Sequence, residues 1–157
     1  MKRIFFFMII GLSVLHAQNA LTDGVNNKPK ITFKNEGALS SVYDAKITLN
    51  NDDCSATYQF TQFWNDGFVE KTNSHSLKWF WKDIQSIRID KVLNVIELDT
   101  ENKVQETTTD MMSNETVKNN KEFDIAIYFQ NIEDTNKAVD WINSKISSCG
   151  GKAILVK

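Results

Sequence analysis

The chain has 157 residues, of which 41% are hydrophobic, with 18 Lys and Arg against 20 Asp and Glu. That length and apolar share suit one domain with a substantial core. With neither a basic excess nor a basic stripe, nucleic acid is excluded as a partner, because phosphate affinity is built from cations.

The N-terminus joins a basic Met1-Lys2-Arg3 to an apolar run, Ile4 to Leu15, and then to His16-Ala17-Gln18. This reads as a secretory signal peptide over residues 1–17, cut after Ala17. The run is short for a membrane span, and with no Cys after the cut, lipid attachment is not expected. Removing 17 of 157 residues leaves 140, with 16 basic against 20 acidic side chains. The expected product is soluble and exported, periplasmic or extracellular. Cys54 and Cys149 are the only cysteines, and an oxidising compartment favours closing them into one disulfide. Two buried thiols are the alternative. Neither sulfur has a neighbouring motif that would activate it.

Residues 18–37 are rich in Asn, Asp, Gly and Lys and read as a flexible lead-in, with a short strand over Lys30 to Lys34 and a turn at Asn35-Glu36-Gly37. Tyr43, Ala45, Ile47 and Leu49 then alternate with polar residues, as do Ala56, Tyr58 and Phe60, so both stretches are strands with one buried face. Asn50 to Asp53 turn the chain between them. Asn65-Asp66-Gly67 supplies a hairpin turn, Phe68 to Lys71 return, and Thr72 to Ser76 read as a polar loop.

The strand Leu77 to Asp90 carries Trp79, Phe80 and Trp81 and then Ile84, Ile87 and Ile89. Ile84 has the opposite parity to the other inward residues, which requires a bend near Lys82-Asp83. After a turn at Lys91 to Asn94, Val95 to Asp99 form another strand. Lys103 to Asp110 suit an edge strand, and Met111 to Lys121 read as a mobile loop. Phe123, Ile125, Ile127 and Phe129 alternate cleanly. Asn131 is placed to cap a helix through Ser148 whose apolar arc holds Ile132, Thr135, Ala138, Val139, Ile142, Ile146 and Cys149, with Trp141 about 60° to one side. Gly150-Gly151 stop it, and Ala153 to Val156 suit a last short strand. The fold class is mainly β: a curled antiparallel sheet or barrel of about seven strands with one C-terminal amphipathic helix.

Trp81-Lys82-Asp83-Ile84 with Ile87 resembles the Trp-x-Asp-Ile-x-x-Ile strand of bacterial pleckstrin-homology-like (PH-like) and GRAM-like domains, and Phe123 to Ser148 is similar to that family's ending. The resemblance covers Ala38 to Ser148 and implies a PH-like barrel, with a single domain over residues 38–157. Eukaryotic proteins of this fold bind phosphoinositides through basic residues in the first hairpin. The matching region here, Gln62 to Lys71, carries Asp66, Glu70 and only Lys71, so phosphoinositide binding is not expected. Families of this fold also bind peptides or act as scaffolds.

No glycine-rich phosphate loop, HExxH pair or paired-cysteine metal motif occurs, so no cofactor, metal or catalytic residue is assigned. His75 reads as a solvated loop residue. Glu97, Asp99 and Glu101 share a strand face that reads as a solvent face. Trp64 at the hairpin tip and Phe80 are the candidate binding surface, since three consecutive aromatics place rings on both faces of a strand. The bland alternative is cover by the helix. The expected function is a non-enzymatic binding or scaffold module contacting protein or peptide through an aromatic surface or by strand addition at a sheet edge. The alternative is a lipocalin-like carrier of a small apolar ligand, disfavoured because bulky side chains fill the interior.

Overall fold

The computed structural model describes residues 21–26, 28, 30–35, 38–100, 104–121 and 124–156. The expected signal peptide lies outside them, as do Glu101 and Phe123. The fold is mainly β, as the alternation requires. Its strands are β1 (Ile31–Asn35), β2 (Ala38–Asn50), β3 (Ser55–Asn65), β4 (Glu70–Phe80), β5 (Ile84–Asp90), β6 (Val95–Thr100), β7 (Val104–Asp110), β8 (Thr116–Lys121), β9 (Ile125–Tyr128) and β10 (Ile154–Val156). One long helix, Ile132–Ser148, precedes β10.

Among the described residues ten strands form two sheets, ordered β1-β2-β3-β4-β7-β8 and β10-β5-β6-β9, which do not close into a barrel. Every pairing is antiparallel except that of β10 with β5. The strand residues that fall in expected loops come from segments too polar to show an alternating face. Thr72 to Ser76, expected as a loop, belong to β4, and β8 occupies part of the expected loop at Met111 to Lys121. β7 is therefore internal to its sheet, between β4 and β8.

A 3-10 turn at Trp81–Asp83 carries the chain from one sheet to the other. It provides the bend that the parity of Ile84 requires, and the Trp81 amide donates to the Cys54 carbonyl at 2.9 Å. On the four-stranded sheet Ile87, Ile96, Leu98, Ile125 and Ile127 share one apolar face by register, and the helix packs on β5 and β6. The helix buries Thr135, Ala138, Val139, Trp141, Ile142 and Ile146. The predicted arc is thus the buried one, except that Ile132 is exposed. Asn131 caps it, its Oδ1 accepting the Asp134 amide at 2.8 Å, and Glu133 and Asp134 place negative charge at the positive end of the helix dipole.

The segment expected as a flexible lead-in is packed where it is described. Residues 21–25 are helical, and Leu21 and Val25 belong to the core. A Cβ on Gly24 would come within 2.9 Å of the Phe129 ring, so the small residue sets how closely this turn approaches. Asn26 Oδ1 accepts the Ile47 amide at 2.7 Å, beside the bulge in β2 between Tyr43 and Lys46. Two side chains four residues apart are too short an apolar signal to mark a helix in a polar stretch.

After the helix, Gly151 passes over the 3-10 turn. A Cβ there would lie 2.9 Å from both the Lys82 Cα and the Ile146 Cγ2. Because one of those atoms is backbone, Gly151→Ala is expected to destabilise the fold by about 1 to 3 kcal/mol, measured as a shift in urea midpoint at unchanged slope. An unchanged midpoint would mean that the crossing relaxes freely.

Candidate binding surfaces

On the six-stranded sheet the register places Ala56 opposite Trp79, Tyr58 opposite Leu77, Phe60 opposite His75 and Gln62 opposite Asn73. β7 adds Glu106 opposite Leu77 and Thr108 opposite His75. This face therefore changes from apolar near the 3-10 turn to mixed polar and aromatic further along β3 and β4. Where the change occurs, β9 lies over the sheet and a cleft of about 210 Å³ opens between them. Val42, Phe60 and Leu77 line its apolar part, Gln62, His75 and Glu106 its polar wall, and Asp124, just before β9, with Ala126 and Tyr128 of β9 the opposite side.

His75, expected in a solvated loop, sits in this wall on β4 with its side chain only 12% exposed. Its ring stacks on Phe60 at 4.9 Å and 15°. Nδ1 lies 3.4 Å from Glu106 Oε1 and 3.3 Å from Thr108 Oγ1. A carboxylate can only accept, so this contact assigns the proton to Nδ1 and leaves a lone pair on Nε2, which is buried without a partner among the described residues. Burial lowers the pKa of His75 below its ordinary value of 6.5, and the hydrogen bond and charge of Glu106 only partly offset that. Burial, followed by the Glu97 charge, raises the hydroxyl pKa of Tyr128 across the cleft.

The lowered pKa means that the folded chain binds fewer protons than the unfolded chain once the pH falls below the ordinary histidine value. This contribution to stability is present above about pH 6.5 and is lost as the pH falls from there toward the lowered folded value. Replacing His75 with Gln is expected to flatten that part of the stability profile, read from urea melts at stepped pH. A wild-type profile that is level below neutral pH would refute the burial account.

The two aromatic candidates do not come together. Trp64 pairs with Lys71 and shares the face of Phe60 and His75, toward the hairpin tip. Phe80 pairs with Ser55 at the other end of the same two strands and on the opposite face, where the Lys78 Nζ lies 5.5 Å from its ring centroid. Both are part-buried. Trp64 and Phe80 therefore occupy two separate positions and form no single surface. Trp79, Trp81 and Trp141 are core residues.

Cys54 and Cys149 are bonded, with Cα atoms 5.9 Å apart. Glu97 pairs with Arg88 at 3.0 Å, and among the described residues no group of three or more His, Cys, Asp or Glu side chains could hold a metal. Nor is any described helix long and apolar enough to cross a membrane.

A second surface is the free edge of the four-stranded sheet. Among the described residues β10 pairs only with β5, and Ile154, Leu155 and Val156 are 71%, 45% and 39% exposed. Other exposed apolar residues, Phe68, Val92 and Met112, sit at hairpin tips. Those tips are built on Asp66, Asp90 and Asp110, each of whose carboxylates accepts two backbone amides. The same bonds hold the Asp66 and Asp110 pKa values below the ordinary carboxylate range.

The cleft escaped sequence reasoning because it joins β2, β3, β4, β7 and β9. One local signal was present. Extending the inward parity of Trp79 and Leu77 backward makes His75 inward-facing. The chain matches no protein-family model, no curated protein and no solved structure.

Proposed function

We propose that the chain is an exported, non-enzymatic binding module that engages an extended segment of a protein or peptide by strand addition along β10. The observation that carries this reading is the run Ile154–Val156, a strand paired with β5 on one side and with no strand on the other among the described residues, whose side chains are all apolar and all exposed. Exposed edges of this kind are normally blunted by charge, proline or a covering element, because their free amides and carbonyls template pairing. An edge left bare suits a partner strand, with main-chain hydrogen bonds giving affinity and alternate side chains giving selectivity. The disulfide and the reading of residues 1–17 as a signal peptide support an oxidising, exported setting. The PH-like resemblance belongs to the same proposal, with Trp81 to Ile84 forming the corner between the sheets.

The test places a photo-crosslinking amino acid at Leu155 in the full chain expressed in its own host, with the more exposed Phe68 as the control. A discrete adduct at Leu155 that disappears with Ile154→Lys supports strand addition, since a charge on the edge opposes pairing. Equal labelling at both sites, or an adduct indifferent to the lysine, would sink it. The carrier alternative draws less support, because Trp79, Trp81 and Trp141 fill the interior.

A further inference from the structure

We infer that the cleft between the six-stranded sheet and β9 binds an organic cation, an alkylammonium or alkylguanidinium group carried by a small amine or by a Lys or Arg side chain. This site is separate from the β10 edge and stands independently of it.

The carboxylate of Glu106 carries the argument. Its side chain is 13% exposed, and its one polar partner among the described residues is His75 Nδ1 at 3.4 Å. A half-buried carboxylate with one oxygen still facing the cleft, and only a weak neutral partner on the other, is stabilised by a cation that enters the cleft. His75 supplies that poorly, because burial disfavours its charged form. Neither Lys nor Arg lines the cleft, and Asp124 adds a second carboxylate on the exposed side. An anionic ligand would be repelled by these groups, and a wholly apolar one would leave Glu106 unpaired in a drier site.

The rest of the cleft suits the stem of such a cation. Phe60, Leu77 and Val42 offer apolar contact to a short alkyl chain, and Tyr128 lines the opposite side. The volume of about 210 Å³ is on the scale of one long side chain and its charged end rather than of a lipid or a nucleotide. Binding would proceed with Glu106 and Asp124 accepting from the N–H groups of the head.

The experiment is a two-dimensional NMR titration of the oxidised, full-length mature protein with four probes: butylguanidinium, butylammonium, the neutral isostere butylurea, and a blocked tripeptide with a central Arg. The expected result is saturable movement of signals around His75, Glu106 and Ala126, with butylguanidinium at least about tenfold tighter than butylurea. Glu106→Gln should bring the two within about threefold, and Asp124→Asn, on the exposed side, should weaken the cation by less. Binding should also move the His75 ring-proton titration to lower pH, because the cation competes for the group that favours its protonation. Saturation by the free cations assigns a small amine as sufficient, whereas binding confined to the tripeptide assigns a partner's side chain. Equal affinity for butylurea and butylguanidinium, a preference that survives Glu106→Gln, or no saturable shift with any probe would overturn the inference.

Discussion

Opening the Cys54–Cys149 bridge is expected to remove about 4 to 5 kcal/mol of stability, a large part of the roughly 5 to 15 kcal/mol that holds a domain folded. The two cysteines are 95 residues apart in sequence, so the reduced, unfolded chain regains the freedom of a loop that includes most of both sheets. The bridge also ties the β2–β3 turn to the end of the helix, where Lys145 Nζ donates to Asn51 Oδ1 at 2.7 Å. Cys54 ends the β2–β3 turn, and its carbonyl accepts the Trp81 amide at the corner between the sheets. Cys149 is the C-cap of the helix. Urea melts with and without reductant should differ by this amount, and the double variant Cys54→Ser with Cys149→Ser should reproduce the reduced midpoint and ignore reductant. Coincident oxidised and reduced midpoints would mean that the unfolded chain is already compact and loses little freedom on bridging.

The bridge was legible in the sequence because compartment and cysteine count point the same way, and a helix continued to Cys149 turns its sulfur inward. The helix itself was equally plain: Asn131, Glu133 and Asp134 announce its start, and one apolar arc fixes its buried face. The sheet was legible only where one face is apolar. In β9 the buried Ile125 and Ile127 mark the alternation. In the first half of β4, Thr72, Asn73, Ser74, His75 and Ser76 are all polar, since one face meets water and the other a polar cleft. A period of two then leaves no trace in hydrophobicity. β8, reading Thr-Val-Lys-Asn-Asn-Lys, was hidden for the same reason. The cleft could not be read at all, because His75, Glu106 and Asp124 are brought together by register across several strands and no local spacing encodes it.

Trp81→Ala is expected to destabilise the fold by about 3 to 5 kcal/mol. Trp81 is fully buried and stands between two other indoles, edge-on to Trp79 at 5.5 Å and to Trp141 at 5.6 Å. It thereby connects the end of β4, the corner between the sheets and the helix. Removing it leaves a cavity lined by parts of all three, which cannot collapse without moving the corner that sets the direction of β5. The edge-to-face contact with Trp141 should appear as a coupling of about 0.5 to 1.5 kcal/mol in a double-mutant cycle of Trp81→Phe and Trp141→Phe. The single Trp81→Phe should be much milder, below about 2 kcal/mol, because it keeps most of the ring and removes an indole N–H that is buried without an acceptor among the described residues. The contrast between Ala and Phe in urea midpoints is the decisive reading. If both cost the same, the indole N–H, and not the volume of the ring, is what the corner depends on, and an acceptor for it must exist in solution.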